Sequence, residues 1–153
     1  MIDLDRLRTD FANTPLDEAD REDVLRQLLR ERREGDADLL RHLLYEETSA
    51  HREGWGLSEA MGLAALLLAE CGREEDVWTL WGAKNASFDT MAGIDGFLLF
   101  PAGIAGTTAH VIASENADRG DLMTYMSEYL EYEKLTDEDI RQHIASLREY
   151  YSG

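Results

Sequence analysis

The chain has 153 residues, 44% of them hydrophobic, with 32 acidic against 15 basic side chains and a formal net charge of -17. That length suits a single domain, residues 1–153, with a real core, and the hydrophobic share argues against wholesale disorder. A field this negative repels phosphate backbones and anionic lipid, so nucleic acid and membrane surfaces are disfavoured and a basic partner is favoured.

The acidic excess is spread over both ends and the middle, as in a solvated surface rather than a dedicated tail. The single Cys71 excludes an internal disulfide framework and a cysteine-rich zinc site, and no cofactor or metal is implied. Met1-Ile2-Asp3-Leu4-Asp5-Arg6 lacks the basic-then-apolar pattern of a signal segment, so a cytoplasmic protein is expected.

In chain order, residues 1–13 read as a turn of helix or an N-terminal arm. Thr14-Pro15 is a good helix start, with threonine as N-cap and proline at the first helical position. Val24, Leu25, Leu28 and Leu29 form its apolar stripe, and Gly35 stops it. A second helix, capped by Asp36, carries Leu39, Leu40, Leu43 and Leu44 and ends near Gly54-Trp55-Gly56.

The third helix, about Ser58 to Cys71, contains ten consecutive residues without a polar side chain, Ala60 to Ala69. A helix apolar all round is buried on every side, and ten residues are too few to span a bilayer. The rest of the chain is therefore expected to pack around it. A fourth helix starts at Glu74-Glu75-Asp76 and uses Val77, Trp78, Leu80 and Trp81, with Ala83 to Gly93 continuing it or bending away. A fifth lies within Asp95–Asn116, where Pro101 marks a kink or the true beginning. Asp118 to Glu133 forms a sixth, and Thr136 caps a seventh that uses Ile140, Ile144, Leu147 and Tyr151. No period-2 strand pattern occurs, so the class is all-α with about seven helices.

The helices come in pairs with short connections. Ala60, Ala64, Glu70, Asp76 and Thr79 match Ala105, Ala109, Glu115, Asp121 and Thr124 at a constant offset of 45 residues. A looser match at 38 residues pairs Leu25, Leu28, Leu29 and Asp38 with Leu63, Leu66, Leu67 and Asp76. On these residues the chain resembles, over about 16–133, a short α-solenoid of the HEAT or tetratricopeptide type. The likeness is architectural, since the tetratricopeptide W-x2-L-G-x2-Y pattern is absent. It implies a curved stack of antiparallel helical hairpins that holds a protein or peptide on one helix layer. An irregular helical bundle is the alternative architecture. Nine of the twelve glycines fall between Gly54 and Gly106, where close backbone approach or turns would use them.

Polar residues on apolar stripes mark the candidate site. At about 100° per residue, Glu47 continues the stripe of the second helix and His51 lies at its edge, four residues on. Lys84, Asn85, Phe88 and Asp89 extend the stripe of the fourth, and Glu133 that of the sixth. If successive second helices run parallel, these ends gather into one neighbourhood rimmed by Trp55, Trp81 and Tyr129.

Three readings compete. The residues pair with one another structurally; or Lys84, Asn85 and the aromatics bind a peptide or small polar ligand; or Glu47 and His51, with Asp89 and Asp95, form an acid–base or metal site. No H-E-x-x-H spacing supports the last. His110 and His143 read as ordinary isolated histidines, and Trp78 and Trp81 as core. Tyr125, Tyr129, Tyr132, Tyr150 and Tyr151 cluster toward the C-terminus, a composition suited to a homodimer surface.

Two functions follow. One is a binding module of regulatory or toxin-neutralising type for a basic protein or peptide. The other is an enzyme of unknown reaction, with Glu47 and His51 as its acid–base pair and Lys84 or Asp89 orienting substrate.

Overall fold

In the computed structural model, which describes residues 2–153, every regular element among the described residues is helical. The core is built on α4, Glu59–Glu70, whose ten apolar residues from Ala60 to Ala69 are all buried. Ser58 caps it by accepting the Met61 N–H at 3.1 Å, and Gly72, at φ +73°, follows its end. Around it pack α2 (Glu18–Glu31), α3 (Ala37–His51), α5 (Val77–Lys84) and α9 (Asp137–Ser152). One apolar cluster runs from Leu4 in α1 (Leu4–Asp10) to Ile140 in α9. No helix among the described residues is long and apolar enough to cross a membrane.

The count is nine α-helices among the described residues, not about seven. One addition is α1, whose Leu4 and Leu7 are buried in the core, so this segment packs instead of projecting as an arm. The other is α6 (Phe88–Gly93), a separate short helix. Ser87 and Thr90 cap it reciprocally, and extended backbone at Ser87 prevents α5 from running through. The first long helix also starts later than Thr14-Pro15 suggests. Asp17 accepts the Asp20 N–H at 2.8 Å and Asp20 accepts the Asp17 N–H, a capping box that sets the start at Glu18. The Thr14 hydroxyl instead donates to the Asp10 carbonyl at 2.7 Å. Pro101 marks a beginning, because α7 starts at Gly103.

Helix α2 packs against α4, and α3 against both α4 and α5, an arrangement compatible with a helical repeat. Their turns share a construction. Arg33-Glu34-Gly35-Asp36 and Arg73-Glu74-Glu75-Asp76 each close a turn of 3-10 helix on a buried aspartate at the start of the next helix. Arg8 of α1 grips Asp36 with Nε at 2.8 Å and a second nitrogen at 3.0 Å. Arg41 of α3 holds Asp76 by one oxygen only, both contacts (2.7 and 2.6 Å) falling on Oδ1, while the buried Oδ2 has no partner among the described residues. The structure thus equates Asp36, not Asp38, with Asp76. Asp38 is exposed and pairs with Arg41 of its own helix at 2.7 Å.

The recurrence covers these two turns. Asp121 lies exposed in the first turn of α8 (Arg119–Glu133), and α9, not α7 (Gly103–Ala113), packs beside α4.

Close approach explains two glycines. A Cβ on Gly96 would stand 2.6 Å from the Tyr129 ring and 2.8 Å from the Tyr125 hydroxyl. A Cβ on Gly62 would meet the Tyr151 hydroxyl at 2.0 Å. Tyr151 belongs to the last turn of the chain and can swing aside, whereas Tyr125 and Tyr129 are fixed in an aromatic stack. Gly96→Ala should therefore lower stability by about 1–3 kcal/mol in denaturant unfolding, and Gly62→Ala by less.

Candidate functional site

The first polar group joins α2, α3 and the start of α4. Arg21 continues the apolar stripe of Val24, Leu25 and Leu28, so α2 delivers a guanidinium into the core. Its Nε donates to Glu47 Oε1 at 2.8 Å, and a second nitrogen donates to the Leu16 carbonyl at 2.9 Å. Glu47 is 1% exposed. Its other oxygen, Oε2, receives only the Ser58 hydroxyl, at 3.5 Å.

His51 stands beside this pair, with Nδ1 3.8 Å from Glu47 Oε2. The Ser58 N–H donates to His51 Nε2 at 3.1 Å, which assigns the ring proton to Nδ1; this donates to the Glu47 carbonyl at 2.7 Å. Both ring nitrogens are thus engaged with backbone, and the ring ties the end of α3 to the start of α4. Glu47 and His51 are neighbours as the helical spacing implies, but the imidazole has no free nitrogen in this arrangement.

The second group lies at the end of α5. Lys84 is 3% exposed; its Nζ donates to the carbonyls of Met91 and Ile94 and sits 5.4 Å above the Tyr125 ring. Burial lowers its pKa, and nearby Asp95 opposes that shift. A file of rings runs beside it: Trp81 on Tyr125 at 5.3 Å, Tyr125 on Tyr129 at 6.0 Å, and Tyr129 on Phe100 at 6.3 Å. Burial, then the Glu133 carboxylate, pushes the Tyr129 hydroxyl up to about 12, and burial followed by Glu59 does the same for Tyr151.

The sign of the linkage is fixed by these raised values. Each phenol adds stability that is complete below the ordinary tyrosine range near 10 and is lost as pH rises through about 12. Absorbance titration near about 295 nm should resolve a late-ionising set of tyrosines. Tyr129→Phe should flatten the loss of stability between about pH 10 and 12. If Tyr129→Phe leaves both curves unchanged, Tyr129 is not buried as described.

The loop Arg52–Ser58 runs between the two groups. Asp89 accepts the Gly56 N–H at 2.6 Å, and Leu57 presses on Gly93, where a Cβ would stand 2.7 Å from its methyl. Gly56 itself takes φ +79°. The expected single neighbourhood is therefore divided. Glu47 and His51 share Arg21 and Ser58, while Lys84, Trp81 and Tyr129 belong to the aromatic file. Asp89 fastens the loop, and exposed Asn85 caps its own helix by donating to the Trp81 carbonyl at 2.9 Å. Glu133 is exposed at the end of α8 and bears on the tyrosines. The division arises because α5 stops at Lys84 and the chain refolds as α6, which carries Asp89 to the loop.

That fastening leaves two large aromatics in solvent. Trp55 is 97% exposed and Phe88, next to Asp89, is 86% exposed. Between Trp55 and the first polar group opens a cleft of about 440 Å³, lined by Glu18, Glu47, His51, Trp55, Leu57 and Ser58. Elsewhere, His110 is not isolated: it accepts the Trp78 indole N–H at 3.0 Å. Of the five C-terminal tyrosines, Tyr132 and Tyr150 are exposed, while Tyr125, Tyr129 and Tyr151 turn inward. Among the described residues no group of three His, Cys, Asp or Glu side chains is placed to hold a metal ion.

Arg21, Glu18 and Ser58 were not singled out from the sequence. The stripe rule that finds Glu47 also finds Arg21, and Ser58 carries the signal of an N-cap. Glu18 has no signal of its own. Comparison of the chain with family models, with curated proteins and with solved structures gives no match.

Proposed function

We propose that this all-α protein is a protein- or peptide-binding module, regulatory or toxin-neutralising in kind, whose acidic loop edge receives a basic partner. The observation that carries the reading is the pair Trp55 and Phe88. Both are largely in solvent, Trp55 on the loop after α3 and Phe88 at the first position of α6, two segments joined by the Gly56–Asp89 hydrogen bond. Single exposed apolar residues need no explanation, but two large aromatics left in solvent on two linked segments suit an interaction site. Trp in particular is enriched among the residues that dominate binding energy. Glu18 lines the cleft beside Trp55, and Glu53 is exposed two residues before it, on a chain of net charge -17. The loops are held by His51–Ser58, Gly56–Asp89 and Leu57–Gly93, so little ordering entropy remains to be lost on docking.

The test uses an amphipathic Lys/Leu helical peptide and its Glu/Leu counterpart as probes. The Lys/Leu peptide should bind, and its affinity should fall steeply as salt rises from about 50 to about 500 mM, because the attraction is screened. Equal binding of both peptides, or affinity independent of salt, would overturn the reading.

A further inference from the structure

We infer that the cleft between Trp55 and Glu47 is a receptor for one cationic side chain, a guanidinium or an ammonium, presented by the partner. The inference rests on the reading above and names what the basic partner inserts. Glu47 lies at the floor of the cleft with its carboxylate buried and only one oxygen satisfied by Arg21. Oε2 has a single stretched contact, the Ser58 hydroxyl at 3.5 Å, and a carboxylate oxygen can accept two strong hydrogen bonds. Glu18, at the first position of α2, brings a second carboxylate to the cleft, and Trp55 also lines it.

Two carboxylates and an aromatic face attract a cation, the first by charge-assisted hydrogen bonds and the second through the ring quadrupole. No lysine or arginine lines the cleft to supply the positive charge internally; Arg21 opens instead on the neighbouring cleft beside Phe11 and His42. His51 presents no donor there, since Nε2 accepts the Ser58 amide. An anion would meet two like charges. A neutral apolar group would leave Glu47 Oε2 with only the long Ser58 contact, which is unfavourable.

The probes are N-acetyl-arginine amide, N-acetyl-lysine amide and, as the uncharged isostere, N-acetyl-citrulline amide. Binding is followed by NMR at the Trp55 indole N–H and the amides of Gly54 to Ser58. The arginine or the lysine probe should shift these signals saturably and the citrulline probe should not; which cation binds more tightly identifies the preferred head group. Glu18→Gln and Trp55→Ala alter exposed side chains and leave the fold intact, and each should weaken the cation by about two- to five-fold or more. Citrulline binding as well as arginine overturns the inference, as does an arginine response unaffected by both variants. If neither cation shifts the signals while the Lys/Leu peptide still binds in a salt-dependent way, the cleft inference fails and the docking edge stands. If the peptide also fails, the docking edge falls with it.

Discussion

Glu47→Leu should destabilise the protein by about 3–5 kcal/mol, because it leaves the Arg21 guanidinium buried with no carboxylate. The two side chains are 10% and 1% exposed, so loss of either leaves the other charge largely desolvated. The double variant Arg21→Met/Glu47→Leu should recover most of that loss. Replacing a buried ion pair by well-packed apolar side chains is often neutral, since the desolvation of both charges disappears with their attraction. Thermal or urea unfolding of the two single variants and the double variant completes the cycle. A single variant as stable as the parent would mean that Arg21 and Glu47 are not paired in a dry core.

The second large effect falls on binding. Trp55→Ala/Phe88→Ala removes two side chains that make almost no contact with the core, so unfolding stability should change by less than about 0.5 kcal/mol. Affinity for the Lys/Leu peptide should fall by about 2 kcal/mol or more, roughly thirty-fold. Tyr45→Ala is the matched control. Tyr45 is 58% exposed on α3 but lines a different cleft, beside Phe11 and Arg41, and its loss should leave affinity unchanged.

Much of this molecule is legible before folding. Ten apolar residues in a row are too few to cross a bilayer and point to a buried helix from Ala60 to Ala69, and the structure buries all of them. The stripe geometry also places Glu47 and His51 together and puts Lys84 on a buried face. What could not be read depends on contacts between distant segments. The pairing of Arg8 with Asp36 and of Arg41 with Asp76 spans 28 and 35 residues, and no local periodicity records which arginine reaches which aspartate.

The break at Ser87 had a local signal, a serine three residues before Thr90, but the apolar stripe that continues to Phe88 competes with it. The continuing stripe puts Asp89 with Lys84 and Asn85, and the assumed parallel run of successive second helices adds Glu47 to them. The exposure of Trp55 is legible least of all. A tryptophan between two glycines stands in solvent here, while Gly56 is held by Asp89 and Leu57, itself 36% exposed, rests against Gly93.

The central claim is that the edge formed by the loops around Trp55 and Phe88 receives a basic partner. A titration of the isotope-labelled protein with the Lys/Leu peptide, read amide by amide, tests it most directly. Shifts should concentrate at Gly54 to Ser58 and Ser87 to Thr90, with α7 and the exposed face of α8 silent. Shifts spread evenly over the acidic surface, or centred on Tyr132 and Tyr150, would contradict it.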